Sequence, residues 1–577
     1  MMIKRKPRHY SSKPLSVSSL DRAVIIFSSI VLSLFTISLF ASVSNLPTPK
    51  PFNFHKSIKS TSGLDNTDDI HNSAEDLDDE LSMLHEEGLT IRDLGNNFGN
   101  QLPAHTSHVQ HIPEAKWPVS IRDEDGDFED VVHPGHRAKN HPDVIMSVPK
   151  MWIDDPVSIH QNKLMTRDLA MKIGSCATPD ASGNFARGDN CPLNERTIYV
   201  SIASYRDYQC RETVTSIFQR AAHPERIRVG VIDQIDVDED IHCDAPYEPC
   251  SENPEQMLCK YKNQLDILQV DPMLAVGPVF ARHLGHRLYR GEYYTMQSDA
   301  HVTYANNWDI DIINQLESTN NEMAVLSTYL SNYSDRALNE NGDGIYKARP
   351  IMCYTVFEEG QHSHYLRHDE QPEGAPSITG SPQLHPFWSA GFSFSRGHFV
   401  VNVPYDFYQP LIFQGEEMSI GVRGFTIGYD FYAPEKDVCF HHYDRKDVPK
   451  FFSHNRVFAG AGIRSMYRML AIVHMNPGLD PSMWDHTDEE KYGIGGVEAR
   501  SPEHFYEIFG IDIKNKSTEG HLCSFVDTGD MHKMFTPYLR ADGMGIDYSK
   551  IDYKFTDPSP DETDNEDTEY NDDGTEE

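Results

Sequence analysis

Apolar and polar positions over the middle of the chain alternate between strand and helix patterns. Residues 197–203 are rich in β-branched side chains and predict a buried strand, and 227–233 predicts a second strand. Val214 and Phe218 belong to a run with helical spacing between these strands, and 278–288 predicts a further helix. This succession predicts an α/β fold with a mainly parallel, Rossmann-like sheet flanked by helices.

Acidic residues follow the predicted strands. Asp207 and Asp233 come after the first two, and the apolar-aromatic run from Glu292 predicts a third strand that ends at Asp299. Ligands of open parallel sheets sit beyond the carboxyl ends of the strands. We therefore expect these carboxylates to converge on a ligand site.

Asp299 and His301 form a candidate metal site. Strand side chains alternate in direction, so residues at i and i+2 of a strand end can face one cation. The same tripeptide pattern also occurs elsewhere and is not specific by itself, at Asp69/His71, Asp240/His242 and Asp530/His532. The position after a buried strand distinguishes Asp299 and His301 and predicts a divalent metal.

A second group of candidate residues lies between 385 and 450. An aromatic cluster contains Trp388, and Glu416 and Glu417 begin a predicted helix, where acids complement the helix dipole. These glutamates either serve only as favourable helix-start residues or contact a sugar or acceptor hydroxyl.

The last predicted strand of this group ends in two histidines. Either histidine is a candidate for the third metal ligand, and Arg445 is a candidate for a bidentate phosphate contact. A carboxylate with two imidazoles is a normal ligand set for Mn²⁺.

The N-terminal part predicts a membrane anchor. Residues 23–43 carry no charge and are long enough to span a bilayer. The basic residues before them include Lys4, Arg5, Lys6, Arg8 and Lys13, which predicts a cytoplasmic tail over 1–22 and a luminal remainder. A cleaved signal peptide is the alternative. Residues 44–194 are polar and predict a largely disordered stem, although Val144–Trp152 is a candidate for docking on the catalytic domain, predicted over 195–550.

Charge and cysteine content restrict the class of protein further. The formal net charge of −37 argues against a nucleic-acid partner. Much of this charge lies in acidic tracts, one of which is the predicted disordered tail, 551–577. The nine cysteines predict disulfides in an oxidising compartment, with at least one thiol free or paired between chains.

The chain resembles the GlcNAc-transferase family typified by the Skp1 hydroxyproline GlcNAc-transferases. The matching stretches are Ile198–Asp207, Gln297–His301, Trp388–Phe392 and Gln414–Glu417. More distantly, the order of motifs is similar to that of polypeptide GalNAc-transferases. Both resemblances imply a retaining transferase on a GT-A fold, with a divalent metal, Mn²⁺ for such a ligand set, as cofactor. The resemblance to the GlcNAc-transferases implies UDP-GlcNAc as the donor.

The resemblance also implies roles for individual residues. Metal ligands would be Asp299, His301 and His442, with His441 as the alternative to His442. Nucleotide contacts would come from Asp233, Arg282 and Arg445 and, at a strand end, Asp207; the sugar or acceptor would contact Glu416, Glu417 and Trp388. Phe413 stands where the GalNAc-transferases carry tryptophan, and Glu417 where they carry asparagine.

The predicted function is a type II membrane glycosyltransferase that moves GlcNAc from a UDP-sugar to a protein hydroxyl, of hydroxyproline or Ser/Thr. Two alternatives stay open: an inactive sugar-binding receptor, and a transferase that elongates glycans with another UDP-sugar. Golgi residence is expected because anchored, stem-bearing transferases are found there.

Overall fold

The structure is a computed structural model, and it describes eleven stretches of the chain. They are residues 128–138, 144–334, 337–345, 349–358, 365–369, 371, 373–374, 376–444, 448–451, 460–496 and 500–553. Several predicted segments lie outside these residues: the cytoplasmic tail, the membrane anchor, most of the stem and nearly all of the acidic tail 551–577. Arg445 also lies outside them. Within them, no helix has the length and apolar character needed to cross a membrane.

Strands and helices of the described residues take their labels in chain order. The strands are β1 Phe128–Val132, β2 Ile145–Pro149, β3 Ser175–Pro179, β4 Phe185–Arg187, β5 Ile198–Tyr205, β6 Ile227–Gln234, β7 Leu265–Val270, β8 Tyr294–Asp299, β9 Val302–Tyr304, β10 Ala324–Ser327, β11 Arg349–Pro350, β12 Thr355–Phe357, β13 Leu366–His368, β14 Glu373–Gly374, β15 Gln383–His385, β16 Phe392–Arg396, β17 Asp430–Ala433, β18 Cys439–His441, β19 Ile511–Asp512 and β20 Ser517–Thr518. The α-helices are α1 Pro134–Ala138, α2 Val157–His160, α3 Arg167–Ala170, α4 Cys210–Arg220, α5 Met257–Lys260, α6 Pro278–Leu288, α7 Trp308–Ser318, α8 His398–Asn402, α9 Glu416–Ile427, α10 Ala461–Ile472, α11 Pro502–Ile508, α12 Leu522–Asp527 and α13 Asp530–Phe535.

An eight-stranded sheet forms the centre, in the order β15-β17-β10-β16-β8-β5-β6-β7. Strands β8, β5, β6 and β7 run parallel, β17 and β10 are also parallel, and the other three pairings are antiparallel. The predicted α/β class with a mainly parallel sheet is confirmed. Strands β5 and β6 are buried along nearly their whole length, as their β-branched sequences predict.

Parallel pairing brings the strand ends that carry the acids to one edge of the sheet. In the register of β5 and β8, Ala203 is the partner of Asp299, and in that of β5 and β6, Ser204 is the partner of Asp233. Helix α6, whose bounds match the prediction, packs against β5 and β6 and leads into β8. The edge of the sheet therefore gathers the residues that the sequence predicted to converge.

Residues 128–138 and 144–194 are more ordered than the predicted stem. Strands β1 and β2 pair antiparallel, and Val144 and Val148 are buried in one apolar cluster with Leu284 and Leu288 of α6. Arg287 Nη1 donates to the Pro149 carbonyl over 3.0 Å. The predicted boundary therefore differs from the structure, while docking of 144–152 agrees with it. Strands β1 and β2 have only five residues each, which is too few for their periodicity to identify them as strands. Packing against α6 stabilises them.

Four disulfides link the described cysteines, as the cysteine content predicts. The pairs are Cys176–Cys191, Cys210–Cys243, Cys250–Cys259 and Cys353–Cys523. Cys439 is the free thiol and is buried. The last pair joins the segment before β12 to α12 and so fixes the C-terminal helices to the sheet domain.

Candidate active site

A cavity of about 720 Å³ opens at the carboxyl ends of β5, β6 and β8. Six of the predicted site residues line it: Asp207, Arg282, Asp299, His301, Glu416 and Glu417. A larger, more open groove of about 1320 Å³ lies around α11 and the β19–β20 hairpin and contains none of the predicted residues. The chemistry therefore points to the smaller cavity.

Asp299 and His301 face the cavity together with His441. Their candidate ligand atoms all lie within 4.8 Å of one another, so among the described residues these three could hold a metal ion together. His441 Nε2 is 3.3 Å from Asp299 Oδ2. Burial acts to raise the pKa of Asp299, but the hydrogen bond from His441 and the charge of Arg282 outweigh it, so this pKa is lowered and the carboxylate stays ionised.

His442, the preferred third ligand in the sequence prediction, points elsewhere. Its Nε2 lies 2.8 Å from Thr303 Oγ1, and its ring packs on that of Tyr333 with 4.4 Å between centroids. The pairing of β18 with β9, in which His441 is the partner of Val302, sets this orientation, because neighbouring strand residues face opposite sides. The geometry corrects the prediction in favour of His441.

Asp207 lines the cavity and contacts His301 of the candidate metal site. His301 Nδ1 lies 2.7 Å from Asp207 Oδ2 and donates its proton to this carboxylate, which leaves Nε2 of His301 as the ligand atom. Carboxylates commonly orient metal-binding imidazoles in this way. Asp207 is 3% exposed and is fixed by the Gln209 N–H, which donates to Oδ1 over 3.0 Å.

Arg282 connects the candidate metal ligand Asp299 to the first turn of α9. Its Nη2 donates to Asp299 Oδ1 over 3.0 Å, and its Nη1 donates to Glu416 Oε1. Tyr405 donates to the same Glu416 oxygen over 3.0 Å. Burial raises the pKa of Glu416 to about 7, although the charge of Arg282 acts in the opposite direction. Tyr405 lies in a loop whose local pattern carries no signal for this role.

Glu417 is the second acid of the pair and has its own hydrogen bonds. Ala390 N–H donates to Oε1 over 2.8 Å and Tyr329 donates to Oε2 over 2.9 Å. Burial raises the pKa of Glu417 to about 7, against the hydrogen bond from Ala390. Both glutamates begin α9, so the interpretation as helix-start residues and the interpretation as site residues hold together.

Two other predicted site residues do not line the cavity. The Cys243 N–H donates to Asp233 Oδ2 over 3.0 Å, and burial raises the pKa of Asp233 to about 7. Trp388 is 1% exposed, and its ring packs 6.4 Å from that of Tyr405. Asp233 and Trp388 therefore lie behind the cavity wall, and their direct contacts with a ligand stay predictions. Arg445 lies outside the described residues.

A comparison with protein families identifies the class. Residues 197–249 and 236–515 match the family described as Glycosyltransferase (GlcNAc). These matches span more than half of the sequence, and the chain belongs to this family of glycosyltransferases. A comparison with curated proteins finds no match.

Several solved structures are similar at a low level. GalNAc-T7 with UDP, GalNAc and Mn²⁺ is 13% identical with a TM-score of 0.36, over 57% of this chain and 58% of that chain. Residues 1–349 of S. aureus TarS in complex with UDP-GlcNAc are 12% identical with a TM-score of 0.29, over 50% of this chain and 68% of that chain. The chain thus spans less than two thirds of GalNAc-T7.

Proposed function

We propose that the protein is a metal-dependent transferase that moves GlcNAc from UDP-GlcNAc to a protein hydroxyl with retention, on a GT-A fold. The observation that carries this proposal is the convergence of Asp299, His301 and His441 on one cavity with Arg282, Glu416 and Glu417. Family membership supplies the glycosyl transfer. The donor, the stereochemistry and the acceptor hydroxyl are the proposed parts.

The residues of the cluster fit a divalent metal. One carboxylate and two imidazoles offer hard and borderline ligands, the set expected for Mn²⁺. His441 Nδ1 is buried and has no hydrogen-bond partner among the residues that the structure describes. Its Nε2 lies 3.3 Å from Asp299 Oδ2 and is therefore the nitrogen that would bind the metal. A metal held by Asp299, His301 and His441 would act as a Lewis acid toward the donor diphosphate.

The protein residues around this cluster stabilise the charge that develops during transfer. The acceptor oxygen bonds to the anomeric carbon as the bond to the UDP oxygen breaks, and UDP leaves with the electron pair. Arg282 places a fixed positive charge beside this position. In front-face attack the acceptor proton passes to the departing phosphate, and Glu416 and Glu417 orient the sugar and acceptor hydroxyls.

The surroundings of the protein are also part of the proposal. The uncharged stretch 23–43 behind a basic N-terminal segment supports a type II anchor, and the disulfide pairs support a luminal site such as the Golgi. An inactive sugar-binding receptor is the rival function. A pure binder has no need for the metal-ligand triad, Arg282 and both glutamates together in one cavity, so we favour the enzyme.

Incubation of the full-length protein with Mn²⁺ and a panel of UDP-sugars tests the proposal. We expect UDP release from UDP-GlcNAc above that from UDP-GalNAc or UDP-glucose, transfer to hydroxyproline- or Ser/Thr-containing peptides, and loss of both with EDTA. NMR of the product gives the anomeric configuration. Binding of UDP-GlcNAc without hydrolysis or transfer would favour the receptor.

A further inference from the structure

Gln234 is the last residue of β6 and borders the cavity at its nucleotide end, as the proposed function orients it. Its side chain is 4% exposed, and its Nε2 donates to the Ser204 carbonyl over 3.0 Å. Its Oε1 is buried and has no hydrogen-bond partner within the described part of the chain. A buried acceptor without a partner is costly and is typical of a position that a ligand completes.

We propose that Gln234 is the residue that reads the nucleobase of the donor: its Oε1 accepts the N3–H of uracil, and the second N–H of its Nε2 donates to a uracil carbonyl. This inference rests on the proposed function, because it assigns the base end of the same nucleotide site. It names a specificity-determining residue that the motifs of the sequence do not include.

The carbonyl of Ser204 fixes which way round the amide lies. In the opposite orientation, Oε1 would face this carbonyl at 3.0 Å, and two acceptors would repel. The atom left for a ligand is therefore an acceptor, next to one remaining N–H. When the metal-bound diphosphate and the ribose hold the base with its N3 opposite Oε1, the amide is complementary to a donor at N3 and mismatched to an acceptor there.

The cavity beside Gln234 also offers a surface for a planar ring. Tyr205 is the partner of Gln234 in the register of β5 and β6, so both side chains project on one face, and both line the cavity. Phe451 lines the same wall, with its ring edge-on to that of Tyr205 at 6.5 Å. A base lying against Tyr205 directs its edge toward Gln234.

The neighbouring acid is not available for this role. Asp233 projects to the other face of β6, where the Cys243 N–H occupies Oδ2, and it does not line the cavity. Neighbouring residues of a strand project to opposite faces of the sheet, so Gln234 rather than Asp233 faces the cavity and would contact the base.

The chemistry predicts discrimination between pyrimidines. Uracil has a donor at N3 between two carbonyls, whereas cytosine has an acceptor at N3 beside an amino group. In the position where N3 lies opposite Oε1, Gln234 pairs with uracil and repels the N3 lone pair of cytosine. A bidentate amide pair of this kind is worth about 10- to 100-fold in affinity.

Nucleotide titrations of the full-length protein with Mn²⁺ test the assignment. UDP, CDP and UDP methylated at N3 present the same diphosphate, so only the base edge differs. We expect the wild type to bind UDP about 10- to 100-fold more tightly than either analogue. Gln234→Met should remove this preference by weakening UDP, with CDP unchanged.

Two comparisons keep the test sharp. Gln264→Met removes an amide at the opposite end of β6 that donates to the Pro224 and Ile227 carbonyls, and it should leave the preference intact. If Gln234→Met fails to fold, the test is the affinity of the wild-type protein for UDP compared with that for UDP methylated at N3. Equal binding of UDP and its N3-methyl form, or an undiminished preference in folded Gln234→Met, overturns the assignment of Gln234. Failure of the wild type to bind any of the nucleotides instead counts against the proposed function.

Discussion

Two arginines each pair with two carboxylates. Arg228 is buried at the amino ends of the parallel strands, and Arg282 is partly buried at their carboxyl ends. Arg228 pairs with Asp266 and with Glu292, the latter at 2.8 Å, and these side chains are at most 4% exposed. Arg282 pairs with Glu416 and with Asp299 at 3.0 Å, and Asp299 is 22% exposed.

The two triads differ in what surrounds them rather than in their own chemistry. The Arg228 triad is closed by protein, so its two ion pairs serve the fold. The Arg282 triad borders a cavity and adds two imidazoles at Asp299 and a second acid, Glu417. Paired charge is thus part of the scaffold at one end of the sheet and part of a reaction site at the other.

Asp299→Asn should have the largest effect on catalysis. The loss of one anionic metal ligand is expected to lower UDP-sugar turnover about 10³-fold or more, because Lewis-acid stabilisation is worth several kcal/mol. The variant should remain folded but with a lower unfolding midpoint in urea, because the lowered pKa of Asp299 means that its ionised carboxylate stabilises the fold at neutral pH. Turnover within tenfold of wild type at saturating Mn²⁺ would remove Asp299 from the site.

Arg228→Met should have the opposite profile. It leaves Asp266 and Glu292 buried without their cation, which is expected to cost about 3–5 kcal/mol of unfolding free energy. Urea unfolding measures this loss, and turnover normalised to the folded fraction should be unchanged. Normal stability with poor turnover would show that the two triads are coupled.

Substitution of the two neighbouring histidines tests the metal ligand directly. His441→Ala should weaken Mn²⁺ binding in calorimetric titration by about 100-fold, while His442→Ala should change it less than about threefold, because only His441 faces Asp299. His442→Ala serves as the matched control, since it removes the same imidazole one residue away. The reverse ranking would restore the assignment that the sequence favoured.

Glu417→Gln should have the smallest effect, visible as a change in pH dependence. The pKa of Glu417 is raised to about 7, so its protonated form stabilises the fold, and this contribution is lost as the pH rises through 7. Glutamine stays neutral, so the variant should gain about 1–2 kcal/mol of unfolding free energy relative to wild type between pH 5 and pH 8. Parallel pH curves for the two proteins would mean that Glu417 titrates normally.

Local sequence determined most of the parallel half of the sheet and two of the candidate metal ligands at its edge, Asp299 and His301. Long β-branched runs and the helix Pro278–Leu288 are strong signals because burial on both faces and helical periodicity leave long patterns. Asp299 and His301 follow from strand alternation alone. The short strands β1 and β2 do not, since they depend on the face of α6 that covers them.

Only the tertiary structure decided which residues complete the site. The choice of His441 over His442, and of Gln234 over Asp233 at the cavity wall, rests on strand register, where a shift of one residue reverses the face. The pairing of Arg282 with Glu416 joins residues 134 positions apart, and no local pattern encodes such a contact. The chain itself sets which groups each strand end carries, and packing sets which way they point.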